Sequence, residues 1–277
     1  MATKNQITKP ALSFPAFIKQ EGVKNGLMKT LGTKAKTDTF VTSVISAVQN
    51  NPELQNCDFN SIITCALMGE TLKLSPSTTI GQYYMVPFKD KEKGKVAQFI
   101  LSYKGYIQLA IRSGQYKVIQ AVEIKDGELD GYDPILEEAH FTPIMDPDAR
   151  EKADTVGYYG KLVLTNGFEK SIYWSREKME AHAEKYSMGY KAHKGYTFWE
   201  KNFDEMAKKT IIRQLISKWG IMSIDMIQGY TADTESLAAE ETSVDAGRDI
   251  VQVEFVEETG EVIIDADDEL APLKPSF

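Results

Sequence analysis

The chain has 277 residues, 26% of them charged and 42% hydrophobic, which suits a globular protein of one or two domains with enough apolar mass for a core without disulfides or metals. No run of about eighteen apolar residues occurs, excluding a membrane-spanning helix; the opening MATKNQITKPALSF is no secretory signal, and two cysteines, Cys57 and Cys65, make no disulfide framework and point to a reducing, cytoplasmic setting. The net charge of −8 is uneven: Thr231–Phe277 carries −12, Glu123–Asp154 carries −8, and the rest of the chain is +12, a balance expected of a basic binding surface beside acidic segments.

Residues 1–37, with seven Lys, one Glu and Pro10 and Pro15, read as a flexible basic arm with at most one weak helix. A helix is predicted from Thr39 to Asn50, capped by Asp38 and stopped near Pro52. A second, capped by Asn60 or Ser61, ends before Pro76. Gln82–Phe88 and Lys95–Leu101 are strands of a hairpin turning through Gly94. Tyr103–Ser113 is a short helix ended by Gly114, and Lys117–Ile124 a strand. The acidic stretch Lys125–Asp154 reads as a loop holding one strand, Glu137–Thr142. Thr155–Thr165 and Phe168–Trp174 form a second hairpin, turned by Asn166-Gly167. A helix follows from Ser175 to about Tyr186, then a Gly- and Lys-rich loop, then a long helix, Phe198–Trp219. Beyond Tyr230 the sequence reads as a mostly disordered acidic tail, with VQVEFVEETGEVIID a possible isolated hairpin. The domains expected are therefore 1–37, a folded body 38–230 and a tail 231–277. Hairpins alternating with helices make the fold class α+β, with antiparallel hairpins packed on helices.

The sequence has no Walker A loop, no G-x-G-x-x-G after a strand and no H-E-x-x-H or paired C-x-x-C. Its histidines, His140, His182 and His193, are not at metal-ligand spacing. No catalytic or metal residues are assigned, and no ATP or other cofactor is expected beyond an influence of Mg²⁺. A carboxylate-based, Mg²⁺-dependent nuclease stays open as an alternative, as does an adaptor that only oligomerises.

Two helices carry polar stripes. Lys104, Gln108 and Arg112 recur at i, i+4 and i+8, a spacing of about 6 Å per turn that can follow successive phosphates. On the long helix, Ile211, Ile212, Leu215, Ile216 and Trp219 form an apolar face, with Lys209, Thr210, Arg213 and Ser217 expected opposite; Lys208 falls near the apolar side. Aromatics interleave with lysines in two places: Tyr83, Tyr84, Phe88, Phe99 and Tyr103 with Lys73, Lys89, Lys95 and Lys104, and Tyr186, Tyr190, Tyr196, Phe198 and Trp199 with Lys185, Lys191, Lys194 and Lys201. Lysines that hold phosphates beside rings that stack bases suit single-stranded nucleic acid. Ordinary amphipathic helices and core aromatics would give the same pattern.

Three strings in order, LSPSTTIGQYYMVPF, VAQFILSYKGYIQLAIRSGQYKVIQA and FDEMAKKTIIRQLISKWG, resemble the RecT family of phage recombinases over roughly Asp38–Tyr230. The resemblance implies a single-strand annealing protein that binds single-stranded DNA and pairs complementary strands without ATP. It implies rings or helical filaments, a phage 5′–3′ exonuclease as partner and a phage- or prophage-encoded origin. It also implies a β-β-β-α core similar to that of the Redβ and Rad52 proteins, built on either hairpin and the long helix. By position, Lys104, Arg112, Lys208, Lys209 and Arg213 fall on the family's basic motifs and are assigned to phosphates. Gln82, Tyr84 and Tyr103 are placed in the same groove, with Gln108 and Thr210 on the two stripes and Lys191, Lys194 and Trp199 in the loop entering the long helix. The acidic tail is expected either to recruit a partner, such as a host single-strand-binding protein, or to occupy the basic groove when DNA is absent.

Overall fold

A computed structural model describes residues 12–90, 93–195 and 197–243. The possible tail hairpin, and all of residues 1–11 and 244–277, lie outside these. Five helical segments open the described chain: α1 (Phe14–Ile18), α2 (Glu21–Leu31), α3 (Lys34–Gln49), a 3-10 turn (Pro52–Asn56) and α4 (Phe59–Thr71). From Leu12 onward the expected flexible arm is therefore folded: Phe14, Ile18 and Leu27 are buried, and the Phe14 ring meets Phe59 edge-on at 5.5 Å. The caps also differ from expectation. Thr33 caps α3, its hydroxyl accepting from Lys36 N at 3.3 Å, while Asp38 pairs with Lys24 at 2.7 Å; Asp58 caps α4, accepting from Ser61 N at 2.9 Å.

Strands β1 (Tyr83–Asp90) and β2 (Gly94–Leu101) pair antiparallel from Tyr83↔Leu101 to Asp90↔Gly94. Alternation puts Tyr83 and Met85 on the inner face, where Tyr83 stacks on Phe99 at 4.9 Å; Tyr84, Val86 and Phe88 share the outer, half-buried face. Helix α5 (Tyr103–Ser113) begins at Ser102, whose hydroxyl accepts from Gly105 N at 3.2 Å, and ends at Gly114, where φ is +70°. Gly105 permits the contact with β1, since a Cβ there would collide with the Gln82 carbonyl.

Strand β3 (Tyr116–Lys125) precedes a small hairpin, β4 (Leu129–Asp133) and β5 (Glu138–Phe141), and helix α6 (Pro147–Lys152). The acidic segment thus holds two paired strands and a helix where one strand was expected. Buried Glu128 organises it, accepting from Lys125 N, Ile144 N and the Arg150 guanidinium. Strands β6 (Thr155–Leu164) and β7 (Glu169–Ser175) join β3 in an antiparallel sheet of order β3-β6-β7, turned at Gly167, where φ is +91°.

After α7 (Arg176–Tyr186) and α8 (Met188–Lys191), the expected long helix is two pieces, α9 (Phe198–Lys201) and α10 (Phe203–Trp219), broken at Asn202. α10 crosses the β3-β6-β7 sheet. Gly160 lets it close on β6, because a Cβ there would strike Ile211. This places the β-β-β-α core on the second hairpin and β3; β1-β2 packs on α4 and on α11 (Ile224–Ser243). α10 is buried on two sides, against the sheet and against α5, so Lys209 and Thr210 are interior at 3% and 7% exposure. That corrects the expectation of a wet face there. The boundary expected at Tyr230 falls inside α11. No helix among the described residues is long and apolar enough to cross a membrane.

Candidate nucleic-acid interface

The two lysine-aromatic runs meet. A groove of about 750 Å³ lies between the outer face of β1-β2, the 3-10 turn and the α8–α9 segment; Phe88, Lys89 and Lys95 line one wall and Met188, Phe198 and Lys201 the other. Clefts of about 300–1,000 Å³ enclose ligands of a few rings. Lys89, Lys95 and Lys201 are exposed and, among the described residues, take part in no ion pair; one acid, Glu53, shares the lining. The local charge is therefore positive although the whole chain is acidic. Across the hairpin from Val86, Gln98 has a buried side-chain oxygen with no hydrogen-bond partner among the described residues.

The α8–α9 wall is held by local capping. Thr197 and Glu200 form a capping box: Glu200 N donates to the Thr197 hydroxyl at 3.2 Å and Thr197 N to the Glu200 carboxylate at 3.0 Å. Gly195 N donates to the same carboxylate at 2.8 Å. These N–H groups and the Thr197 hydroxyl hold the Glu200 carboxyl below its ordinary range.

At one end of the groove, the Tyr84 and Phe198 rings lie 6.1 Å apart. Burial raises the Tyr84 phenol pKa, and the Lys104 ammonium opposes that rise from nearby. Lys104 is exposed, and its Nζ sits 5.8 Å from the Tyr103 ring. Lys208 also stands near that ring, 5.0 Å away, with hydrogen bonds to Glu205 at 2.9 Å and Glu123 at 3.2 Å. Burial would lower the Lys208 pKa, but Glu205 and Glu123 outweigh it and hold the ammonium charged. Tyr84, Tyr103 and exposed Lys104 thus lie next to Phe198 of the groove, while Lys208 is engaged by two carboxylates.

The other assigned residues are placed differently. Gln82 fixes its own loop, its side-chain oxygen accepting from Ser75 N at 2.8 Å. Arg112 caps α4, donating to the Leu72 and Lys73 carbonyls at 2.6 and 3.0 Å, so the α5 stripe is not a row of open donors. Gln108 is half-buried on α5. Lys191 and Lys194 are exposed in the loop before α9. Trp199 is core, 7% exposed and packed on Phe203 at 5.3 Å, which corrects its placement in the groove. Thr210 donates to the Met206 carbonyl within its helix. Lys209 and Arg213 meet buried Asp233 of α11: Lys209 Nζ donates to one carboxylate oxygen at 2.7 Å, and the Arg213 guanidinium to the other. Lys209 is therefore interior and Arg213 largely covered, because α11, whose residues from Thr231 onward composition assigns to the tail, packs over them. Phe88, Lys89, Lys95, Phe198 and Lys201 carry only the weak signal of interleaved rings and lysines in sequence; their meeting across one groove is tertiary.

The RecT family model matches residues 38–246. The chain belongs to the RecT family. Membership brings DNA binding and single-strand annealing in recombination, and accords with a surface of rings and free lysines. Among its relatives are "Uncharacterized protein YqaK" of Bacillus subtilis (strain 168), 36% identical over 82% of this chain and 72% of the relative, and "Protein RecT" of Escherichia coli (strain K12), 28% identical over 79% of each. The matched residues span both walls of the groove, α5, α10 and the described length of α11.

Proposed function

We propose that this RecT-family chain anneals complementary DNA strands without ATP, holding single-stranded DNA in the groove between β1-β2 and α9. The observation that carries this reading is the pairing of three free lysines with Phe88, Phe198 and Tyr84 along one surface. Lys89, Lys95, Lys104 and Lys201 neutralise phosphates, each contact adding about −0.7 to the salt slope of a single strand. The rings take base faces, and stacking is indifferent to sequence. Annealing requires that two polyanions approach while their pairing edges stay accessible. Backbone neutralisation meets the first need, and stacking on faces alone leaves the Watson–Crick edges open for the second. Pairing then supplies the specificity, at about 1.4 kcal/mol per stacked step.

A ring or helical oligomer would extend the groove from copy to copy and make binding cooperative. A phage 5′–3′ exonuclease supplies the single strand, a host single-strand-binding protein is the second partner, and the setting is the cytoplasm of a bacterial host. The chemistry needs no cofactor and no catalytic residue.

The test is to mix two complementary fluorescent oligonucleotides with the protein, without nucleotide, beside a non-complementary pair. Accelerated pairing of intact strands supports the reading. Salt-sensitive binding without acceleration would reduce the chain to a binding module, and strand cleavage in Mg²⁺ would replace annealing with nuclease chemistry.

A further inference from the structure

Helix α11 is held down by a narrow stripe. Among its residues with described side chains, Met226, Gly229 and Asp233 are buried and Tyr230 and Ala232 are half-buried against the core, while Ile224 and Ile227 are 75% and 51% exposed. A helix that leaves Ile224 and Ile227 in solvent and buries one large apolar side chain, Met226, draws less on apolar burial than the core elements do, and such elements open before the fold does. Its firmest attachment is polar. Asp233 is 0% exposed, and each carboxylate oxygen receives two donors. Leu101 N donates to one at 3.0 Å and Lys209 Nζ at 2.7 Å; the Tyr106 hydroxyl donates to the other at 2.9 Å, together with the Arg213 guanidinium.

All four donors come from β2, α5 and α10, and α11 contributes the anion. They converge from three elements on one point, and with two cations facing one carboxylate the site keeps a net charge of +1. A DNA phosphodiester is also a monoanion, and it also presents two free oxygens. It matches the carboxylate in charge and in acceptors, and guanidinium and ammonium groups bind both. The position is linked through α5 and α10 to Tyr103 and Lys208. Tyr106 lies one helical turn beyond Tyr103 on α5, and α10 sets Lys208 against Tyr103 and Arg213 against Tyr106, to which Arg213 also donates at 2.9 Å.

We propose that Leu101 N–H, Tyr106, Lys209 and Arg213 form a phosphate site for the DNA backbone, which Asp233 occupies until α11 lifts. The proposal rests on the groove being a single-strand site. Exchange of one monoanion for another avoids leaving two desolvated cations unpaired, a state that would itself oppose release. The α11 carboxylate then acts as a gate: a strand seated in the groove competes with it, and bound DNA and docked α11 oppose one another by the same factor.

Hydrogen exchange on the full chain, with and without saturating oligo-dT, tests this. Amide protection in Ile224–Ser243 should fall at least about tenfold when the oligonucleotide binds, while the Leu101 amide stays protected because a phosphate takes over its hydrogen bond. Oligo-dT that binds and leaves α11 protected overturns the gate and spares the groove; no binding of oligo-dT overturns both. Asp233→Asn, which removes the competing charge, should bind oligo-dT about tenfold more tightly, an order set by the loss of one charge-assisted contact. A folded Asp233→Asn variant with unchanged or weaker affinity would show that the cluster is only a structural clamp.

Discussion

Phe198 and Trp199 are neighbours in sequence and face opposite ways: Phe198 meets Tyr84 at 6.1 Å in the groove, while Trp199 packs on Phe203 at 5.3 Å in the core. Substitutions at the two should therefore separate binding from folding. Phe198→Ala should weaken single-stranded DNA binding by about 1–3 kcal/mol, irrespective of sequence, with little change in melting temperature. Trp199→Ala should instead cost about 3–5 kcal/mol of stability. Oligonucleotide titrations and denaturant melts of both variants check this; equal effects of the two on stability would contradict the assignment.

Arg112 looks like a phosphate ligand in sequence and acts as a helix cap in the structure. Its guanidinium serves the carbonyls of Leu72 and Lys73, the latter a non-glycine residue at φ +52°. Arg112→Gln should lower stability by about 1 kcal/mol and leave the salt slope of DNA binding unchanged. A slope flattened by about 0.7 would return Arg112 to the phosphate contacts.

Glu200 makes the groove wall sensitive to acid. Its carboxyl is held below the ordinary value of 4.5, first by Gly195 N–H and then by Thr197. With the folded pKa below the unfolded one, the stabilisation is present above the unfolded value and is lost as pH falls through the folded value. Protection of the Gly195 and Thr197 amides should therefore fall on acidification below about pH 4.5, and Glu200→Gln should show the loosened state at neutral pH. Protection that does not change with pH would show that the capping box does not hold this wall.

Much of the fold was legible because local signals dominate it. Gly114 ends α5, and Asn166-Gly167 turns β6 into β7, as the residues alone require. Tertiary partners decided the rest. Periodicity assigns one apolar face to α10, but this helix is packed on two sides, so Lys209 is buried with an acid 24 residues away that composition assigns to a solvated tail. Before α3, the arm shows at most one weak helix in sequence because its lysines, glycines and two prolines dominate it; Phe14, Ile18 and Leu27 are buried only by elements that follow. The candidate site was legible only as a composition of rings and lysines; Tyr84 and Phe198 meet beside the groove, and Lys89, Lys95 and Lys201 gained their meaning only from the facing wall.

The central claim is that the groove holds the DNA backbone through its free lysines. The most direct measurement is the affinity of the full chain for oligo-dT across a salt series, compared with a Lys89→Gln, Lys95→Gln, Lys201→Gln variant whose melting temperature matches the parent. The account predicts weaker binding at low salt and a log–log slope shallower by about 2, three contacts at about 0.7 each. A parent-like slope and affinity in the folded triple variant would contradict it and move the DNA to another face of the protein.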